Sequence, residues 1–323
     1  MHDRQATWIA RYGELAVLGA MLVVVTGLLA VVTDGRLLGL ESLASMAIQM
    51  PLLGMLTLAQ LLPMLTGGID LSIVSTANLA GITAAYVLTQ SAGWYATPAA
   101  VVLGLMAALA VGVTNGAIVA YLDVPPIITT LASMIFVKGI ALAVTRGAVL
   151  AGFPASFLFL GGGTLLGVPV PFLLFAGAAT AIAVVLHRTP FGVVEYLLGS
   201  NPTATRFSGV DVPVMLFRTY LTSGVLAGIA GLLLIARFNA AQADYGSSFL
   251  LLTVLIAVLG GVDPSGGAAT ITGLVVAVAI LQVVATGFNL MGLSAHLANA
   301  LWGVILVLVI MLRRLVQARS GRT

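Results

Sequence analysis

Two stretches of the chain, LTGGIDLSIVST at residues 65–76 and VLGGVDPSGGAA at residues 258–269, carry nearly the same polar interruption. Each places Gly-Gly, an aliphatic residue, Asp, one spacer residue and Ser inside long apolar sequence. The corresponding residues, 193 positions apart, are Gly67 and Gly260, Gly68 and Gly261, Asp70 and Asp263, and Ser72 and Ser265. A sequence that repeats an interruption of this kind indicates an internal repeat.

The composition places the chain in a membrane. Hydrophobic residues make up 60% of the 323 residues and charged residues only 7%, with a mean hydropathy of +1.17. Soluble domains carry roughly 25% charged residues. The chain has no cysteine, which excludes disulfides and thiolate metal sites, and His2, His187 and His296 are too scattered to indicate a metal site. The predicted fold class is an all-α integral membrane protein.

Apolar stretches long enough to cross a bilayer predict about ten transmembrane helices. They lie near residues 14–33, 43–66, 72–90, 97–120, 126–145, 164–186, 214–236, 248–260, 268–288 and 296–313. The stretch at 248–260 is short for a complete crossing, which is expected where a helix breaks at membrane depth. The first apolar run is predicted to be a retained span rather than a signal peptide, so residues 1–323 form a single transmembrane domain.

The basic residues predict the orientation of the chain. With ten spans and a cytoplasmic N-terminus, nine arginines fall on the cytoplasmic side, and Arg36, Arg146 and Arg237 fall on the other side. Both termini are therefore expected in the cytoplasm. The repeat offset covers six spans, an even number, so the halves at about 14–120 and 207–313 are predicted to be parallel pseudo-repeats with helices broken at the Gly-Gly-x-Asp motifs.

The residues of the interruption favour two roles that do not exclude each other. A glycine pair allows left-handed backbone torsions and close approach of a neighbouring helix. Asp followed by Ser supplies acceptors for the amides that begin the next helix, which is a structural role. Ionisable and polar groups at membrane depth also mark transport routes. Candidate path residues are Gly67, Gly68, Asp70, Ser72, Asp263 and Ser265.

Four ordered motifs resemble one family of membrane proteins. They are LTGGIDLS at 65–72, NGAIVAYLDVPPIITTLASM at 115–134, GSNPTATRFSGVDV at 199–212 and LGGVDPSGG at 259–267. In order and spacing they resemble the permease subunits of bacterial ATP-binding-cassette (ABC) importers for ribose and related sugars, over about residues 43–314. The chain departs from that family where Ile73, Val74 and Ser75 stand for a common Val-Gly-Ser, and where Ala268 and Ala269 follow the second glycine pair.

The resemblance implies a set of partners. A subunit of this family works with ABC ATPase subunits, with a periplasmic or lipoprotein solute-binding protein and with a second permease, identical or different. ATP and magnesium are then bound by the ATPase, and this chain itself is expected to bind no cofactor. The resemblance also implies a location in the bacterial cytoplasmic (inner) membrane, in contact with lipid and with no nucleic acid as a partner. The run ARFNAAQADYGSSF at 236–249 is most similar to rhamnose-type and autoinducer permeases, and the resemblance adds Asn78 and Asn115 to the path candidates.

The polar connection at residues 187–212, here called the coupling segment, resembles the family's short helix that sits in a groove on the ATPase. The residues assigned to coupling are Glu195, Gly199, Asn201, Ala204, Arg206, Gly209 and Asp211. Small residues among them are expected to permit close approach, and the charged ones are expected to orient the contact through charge pairs. The alternative is a solvated loop whose arginines only fix the topology.

The predicted function is passage of a sugar or sugar-like solute by alternating access, driven by partner ATPases. The chain is not expected to be an enzyme, because its only lysine, Lys138, lies in an apolar span and no phosphate-binding loop is present. Lys138 is expected to reach toward an interface, or to be a path or ion-pair residue if it faces the bundle interior. Alternatives are an ABC permease for nucleosides or amino acids, or an ion-coupled transporter using Asp70 and Asp263.

Overall fold

The computed structural model describes residues 2–91, 93–293, 297, 300–301, 304 and 311, and these residues are largely helical. Their helices are α1 His2–Val32, α2 Leu40–Leu65, α3 Ile73–Gln90, α4 Ala96–Tyr121, α5 Pro126–Thr145, α6 Ala155–Gly162, α7 Val170–Arg188, α8 Pro190–Ser200, α9 Pro202–Phe207, α10 Val212–Phe238, α11 Phe249–Leu259 and α12 Ile271–Leu290. The short strands are β1 Leu150–Ala151, β2 Thr164–Leu165, β3 Val168–Pro169 and β4 Ala240–Ala241. The predicted span at 296–313 falls mostly outside the described residues.

Within the described part of the chain, seven helices are long and apolar enough to cross a membrane: α1, α2, α4, α5, α7, α10 and α12. They coincide with seven of the predicted spans, which confirms the all-α membrane class. Helix α3 has 18 residues but includes Asn78 and several hydroxyl side chains, and α11 has only 11 residues. The total of ten spans remains a prediction.

Two local features differ from the sequence prediction between residues 150 and 170. The span predicted from residue 164 begins only at Val170, because β2 and β3 form a hairpin turned by Leu166 and Gly167, both with positive φ. Helix α6 was not predicted, since its eight residues are too few to show a helical period. The pairing of β1 with β4 joins this region to the end of α10.

The chain divides into two compact units. The first takes in residues 1–46 and 279–323. Inside it, Gly287 of α12 lies so close to α1 that an added Cβ would come 2.8 Å from a methyl carbon of Leu29. The Arg36 guanidinium donates to the Thr33 carbonyl at 3.1 Å, which stabilises the turn that follows α1.

The second unit takes in residues 47–278 and is built around α10. Helix α10 packs against α3 and α4 through small residues. An added Cβ on Gly112 of α4 would come 2.8 Å from the Tyr220 carbonyl, and one on Gly231 of α10 would overlap the Ala77 carbonyl of α3. The Ser223 hydroxyl of α10 donates to the Ala59 carbonyl of α2 at 2.9 Å. Close helix contact through glycine, supported by such bonds, is typical of membrane interiors.

Candidate functional site

The first motif, residues 67–72, begins where α2 ends. The Gly68 amide donates to the Pro63 carbonyl at 2.8 Å, and the Gly67 amide donates to the Met64 carbonyl at 3.0 Å. Gly67 has a φ of +82°, in the left-handed region. Glycine adopts this conformation without the steric cost that a Cβ adds, so the first glycine of the pair ends the helix and satisfies its last carbonyls.

A chain of buried hydrogen bonds starts at the carboxylate of the first motif. Asp70 Oδ1 accepts from the Ser72 amide at 2.8 Å and from the Ser72 hydroxyl at 2.6 Å. The Asn115 amide of α4 donates to the Ser72 hydroxyl at 2.8 Å, and the Ser133 hydroxyl of α5 donates to Asn115 Oδ1. The structure therefore brings together three of the predicted path residues and links them to α4 and α5. Asp70 is 4% exposed, so this chain lies inside the unit.

Tyr220 and Thr130 enclose the same turn. The Thr130 hydroxyl accepts from the Leu71 amide at 3.0 Å, and an added Cβ on Gly68 would lie 2.9 Å from the Tyr220 hydroxyl. The Tyr220 hydroxyl is buried and has no hydrogen-bond partner among the described residues. The absence of a side chain at Gly68 thus leaves room for the Tyr220 hydroxyl of α10 and for the Pro126 ring of α5, which would lie 3.1 Å from the same added Cβ.

The second motif, residues 260–265, ends α11 in the same manner with a shift of one residue. The Val262 amide donates to the Ala257 carbonyl at 2.9 Å, and the left-handed residue is Gly261, the second of the pair, with a φ of +93°. Asp263 Oδ1 accepts from the Ser265 amide at 2.8 Å, as Asp70 does from Ser72. The two motifs therefore share a helix end followed by an Asp-centred turn.

The expectation that Asp263 caps the following helix is wrong. Helix α12 begins only at Ile271, because the Asp263 amide donates to the Ala268 carbonyl at 2.9 Å and closes a loop between the motif and α12. Asp263 is half-buried and Ser265 is exposed, whereas Asp70 and Ser72 are buried. The second motif therefore lies at the surface of the unit and the first lies inside it.

The two motifs and the coupling segment meet through their backbones. The Gly267 amide donates to the Leu65 carbonyl at 2.9 Å, which joins the loop after α11 to the end of α2. An added Cβ on Gly199, near the end of α8, would overlap both the Leu65 carbonyl oxygen and the Gly267 nitrogen. This contact, called here the backbone junction, comprises residues 65–67, 199–200 and 265–267.

Two of the predicted coupling residues face the interior of their own chain. Glu195 is 0% exposed, and the Thr219 hydroxyl of α10 donates to its Oε1 at 2.5 Å. Burial raises the pKa of the Glu195 carboxyl to about 8, an effect that the bond from Thr219 partly offsets. Glu195 therefore does not offer the exposed charge expected of it, and Gly199 makes room for its own chain rather than for a partner.

The remaining coupling residues lie on the exposed part of the segment. Asn201 Oδ1 accepts from the Ala204 amide at 2.9 Å and caps α9, and Asp211 Oδ1 accepts from the Val214 amide at 3.2 Å and caps α10. Ala204, Arg206 and Gly209 are exposed as predicted. Sequence reasoning missed Phe207, which ends α9 with 89% of its surface exposed. Its signal was an aromatic residue inside an otherwise polar run.

Asn78 lies apart from the Asp70 chain and holds a different element. Its side-chain amide donates to the Ala243 carbonyl at 3.0 Å and to the Tyr245 carbonyl at 2.9 Å, both in the non-helical run between α10 and α11. Lys138 Nζ lies 2.5 Å from Asp244 Oδ1 in the same run. Of the two roles left open for Lys138, the structure therefore supports the ion pair.

Comparisons with known proteins agree with the resemblance seen in the motifs. The family described as branched-chain amino acid transport system / permease component matches residues 42–310. The autoinducer 2 import system permease protein LsrD of Yersinia enterocolitica is 30% identical over 306 residues, or 93% of this chain and 91% of the relative. LsrD of Klebsiella pneumoniae is 34% identical over 269 residues, or 81% and 80%. No solved structure matches the chain.

Proposed function

The chain belongs to the family of transport-system permease components that matches residues 42–310, and we propose that it carries a sugar or sugar-like solute into the bacterial cell. It is a permease subunit of an ABC importer and not an enzyme. The autoinducer 2 imported by its relatives' systems is the first solute to test, because those relatives cover most of the chain. As a multi-pass protein of the inner membrane, it relies on partner ATPases and a binding protein.

The observation that carries this proposal is the attachment of an exposed helix to both Gly-Gly motifs. Helix α9 presents Phe207 and Arg206 at the surface, while Gly199, three residues before α9, is fixed against Leu65 and Gly267 in the backbone junction. A displacement of α9 by a closing ATPase therefore acts directly on the end of α2 and on the loop that follows α11. Elements joined by backbone contact with no intervening side chain move together, as alternating access requires.

The finer architecture is part of the same proposal. Ten spans, parallel pseudo-repeats at about 14–120 and 207–313, cytoplasmic termini and a second permease subunit complete the importer, with residues 1–323 acting as one permease domain. The shared helix end and Asp-centred turn of the two motifs support the repeat. The excess of arginine on one predicted side supports the orientation.

The route for the solute is proposed to pass the polar residues of the two motifs together with Asn115 of α4. Asp70, Ser72 and Asn115 are the buried members, and Asp263 and Ser265 are the members nearer the surface. Amide and hydroxyl groups exchange hydrogen bonds with a neutral, hydroxyl-rich solute without requiring a counter-ion.

Co-purification with the ATPase tests the coupling role of α9. Phe207→Ala is expected to weaken ATPase retention at least about tenfold, because exposed aromatic residues are frequent anchors of interfaces. The matched control is Trp94→Ala, since Trp94 is also 89% exposed but lies in the connection between α3 and α4. Retention of the ATPase by Phe207→Ala to the same degree as by Trp94→Ala would contradict the assignment of α9.

Uptake into proteoliposomes tests the import function itself. With ATPase and binding protein present, autoinducer 2 or D-ribose is expected to accumulate only when ATP is supplied. Accumulation driven by a proton or sodium gradient, by the chain without any ATPase, would overturn the importer proposal in favour of a secondary transporter.

A further inference from the structure

The run between α10 and α11, residues 239–248, lies beside α3, one of the predicted spans, without being helical. The Asn78 side chain of α3 binds the carbonyls of Ala243 and Tyr245 in this run. At 1.5 Å per residue, Asn78 lies about 8 Å from the start of α3 and about 18 Å from the end of α3. Helix α11 is about 16 Å long by the same measure, half of a hydrocarbon core of about 30 Å. If this region crosses the membrane as the sequence predicts, the non-helical run supplies the remaining length of the crossing.

One side of this run is fixed and the other is open. Asn239 Oδ1 accepts from the Phe153 amide at 2.8 Å, and β4 pairs with β1, so the start of the run is held by neighbouring elements. Asp244, Ser247 and Ser248 are exposed. Irregular backbone at membrane depth is tolerated where it is buried in protein or borders water, and not where it faces lipid.

The ion pair between Lys138 and Asp244 points to water on the open side. Their side chains are 45% and 47% exposed, with 2.5 Å between Nζ and Oδ1. Lys138 lies about 18 Å from the start of α5 and about 10 Å from its end at Thr145. Its ammonium contacts Asp244 of the non-helical run. Two half-exposed charges would be costly against hydrocarbon, so this face borders an aqueous space.

We infer that Lys138, Asp244, Ser247 and Ser248 form a polar wall of the solute route, and that they bind hydroxyl groups of the passing solute. This inference rests on the proposed import function and adds a contact site to it. The ammonium offers donors and the carboxylate offers acceptors, which together match the donor and acceptor capacity of adjacent sugar hydroxyls. Because the two charges neutralise each other, the wall binds a neutral solute only through hydrogen bonds. Such binding is weak enough for the solute to be released, as transport requires.

Thiol accessibility tests whether the wall borders water, independently of the solute. The natural chain has no cysteine, so Ser247→Cys and Ser248→Cys each introduce a unique thiol. A membrane-impermeant methanethiosulfonate reagent, applied to the complex in proteoliposomes, is expected to modify both at least about tenfold faster than Phe136→Cys, since the thiolate forms only in water. Phe136 of α5 is 69% exposed and lies about 160° around the helix from Lys138.

The controls give the labelling result a definite meaning. Arg146→Cys, at the exposed end of α5, is expected to react and shows that the reagent reaches that side of the complex. If Arg146→Cys reacts while both serine replacements are as slow as Phe136→Cys, the wall faces protein or lipid and the inference is overturned.

Substitution of the ion pair tests whether the wall binds solute or only supports the fold. Lys138→Met and Asp244→Leu are each expected to lower ATP-driven uptake of autoinducer 2 or D-ribose at least about tenfold while the ATPase still co-purifies. The double variant removes both charges and leaves neither unpaired. Uptake is expected to stay low in the double variant if the pair binds solute, and recovery to the parent rate would reduce the pair to a structural role.

The same measurements separate this inference from the proposed function. If the parent complex takes up neither sugar probe but both serine replacements react quickly, the aqueous wall stands and the assignment of a sugar-like solute falls. If the parent complex imports a probe and the double variant imports it equally well, the import function stands and the contact site falls.

Discussion

Replacing Gly199 by alanine is the most direct test of the backbone junction. The added Cβ would overlap the Leu65 carbonyl oxygen and the Gly267 nitrogen, which are both backbone atoms of other elements. Backbone atoms do not rotate away as the end of a flexible side chain does. The end of α8 therefore has to separate from α2 and from the loop after α11, which breaks the bond from the Gly267 amide to the Leu65 carbonyl.

The magnitude follows from two contributions. Forcing an extra methyl group into a packed contact costs about 1–3 kcal/mol, and leaving a buried donor and acceptor unpaired costs about 1–3 kcal/mol more. Even the lower end, about 2 kcal/mol, corresponds to a factor of about 30 in the folded-to-unfolded ratio. For a chain of 323 residues we expect Tm to fall by at least about 3 °C.

Thermal unfolding of the detergent-solubilised protein, followed by circular dichroism, measures this loss. The matched control is Gly177→Ala in α7, where an added Cβ meets nothing within 4 Å. That control is expected to raise stability by about 0.5–1 kcal/mol, because alanine favours helix. If Gly199→Ala unfolds at or above the temperature of Gly177→Ala, the backbone junction has room for a methyl group. The proposed mechanical link from α9 to both motifs is then refuted.

Two further predictions concern the buried carboxyls. Burial raises the pKa of Glu195 from 4.5 to about 8, so the folded chain binds a proton that the unfolded chain has lost. The protonated Glu195 therefore contributes fully to the free energy of unfolding below about pH 4.5, and this contribution is lost as the pH rises through about 8. Glu195→Gln is expected to abolish this fall in stability with pH when Tm is measured from about pH 5 to 9. Asp70→Asn keeps one oxygen for Ser72 but weakens a doubly bonded acceptor, so we expect uptake to fall about tenfold while the ATPase still co-purifies. Failure of that variant to assemble would assign Asp70 to folding instead.

The long apolar helices were predictable because a chain that crosses a membrane has few backbone conformations available to it. A backbone in hydrocarbon must satisfy its own polar groups, so an apolar run of sufficient length becomes a helix. The span predicted at 126–145 coincides with α5, whose limits are set by the prolines at its start and by Arg146, with a φ of +52°, at its end. The hairpin before α7 was missed because its residues are as apolar as the span that follows, and only Gly167 marks the turn.

Local contacts of the candidate site were also predictable, and distant ones were not. The turn from Asp70 to Ser72 follows from their spacing of two residues. The bond from Asn115 to Ser72 joins residues 43 positions apart on different helices, and Ser133 enters from a third. Such pairings depend on which face of a helix points toward its neighbour. A helix that is apolar all round has no polar and apolar faces in its sequence, so the sequence does not indicate that direction.

The coupling segment shows the same limit at the level of single residues. Its polar composition predicted a surface element, and α9 is one. Composition did not reveal that Glu195 turns inward, because the cause is Thr219, which lies 24 residues away on α10. A carboxyl with a raised pKa is protonated and uncharged at neutral pH, and with a hydroxyl partner it can be buried. The residue type alone does not reveal this.

The two motifs differ in the elements that hold them. Asp70 is tied through Ser72 and Asn115 to two further helices, so the first motif is held on several sides. The second motif leads into a loop with glycines in the left-handed region, and this loop is held by Gly267 in the junction, by the Tyr196 hydroxyl of α8, which donates to the Ala269 carbonyl at 3.0 Å, and by the Thr270 hydroxyl, which donates to the Gly260 carbonyl at 2.8 Å. Helix α8 therefore contacts the loop that joins the second motif to α12, while Asn78 of α3 holds the non-helical run that precedes α11. Because α11 lies between this loop and the run that bears Asp244, it connects the proposed coupling element to the proposed solute contact.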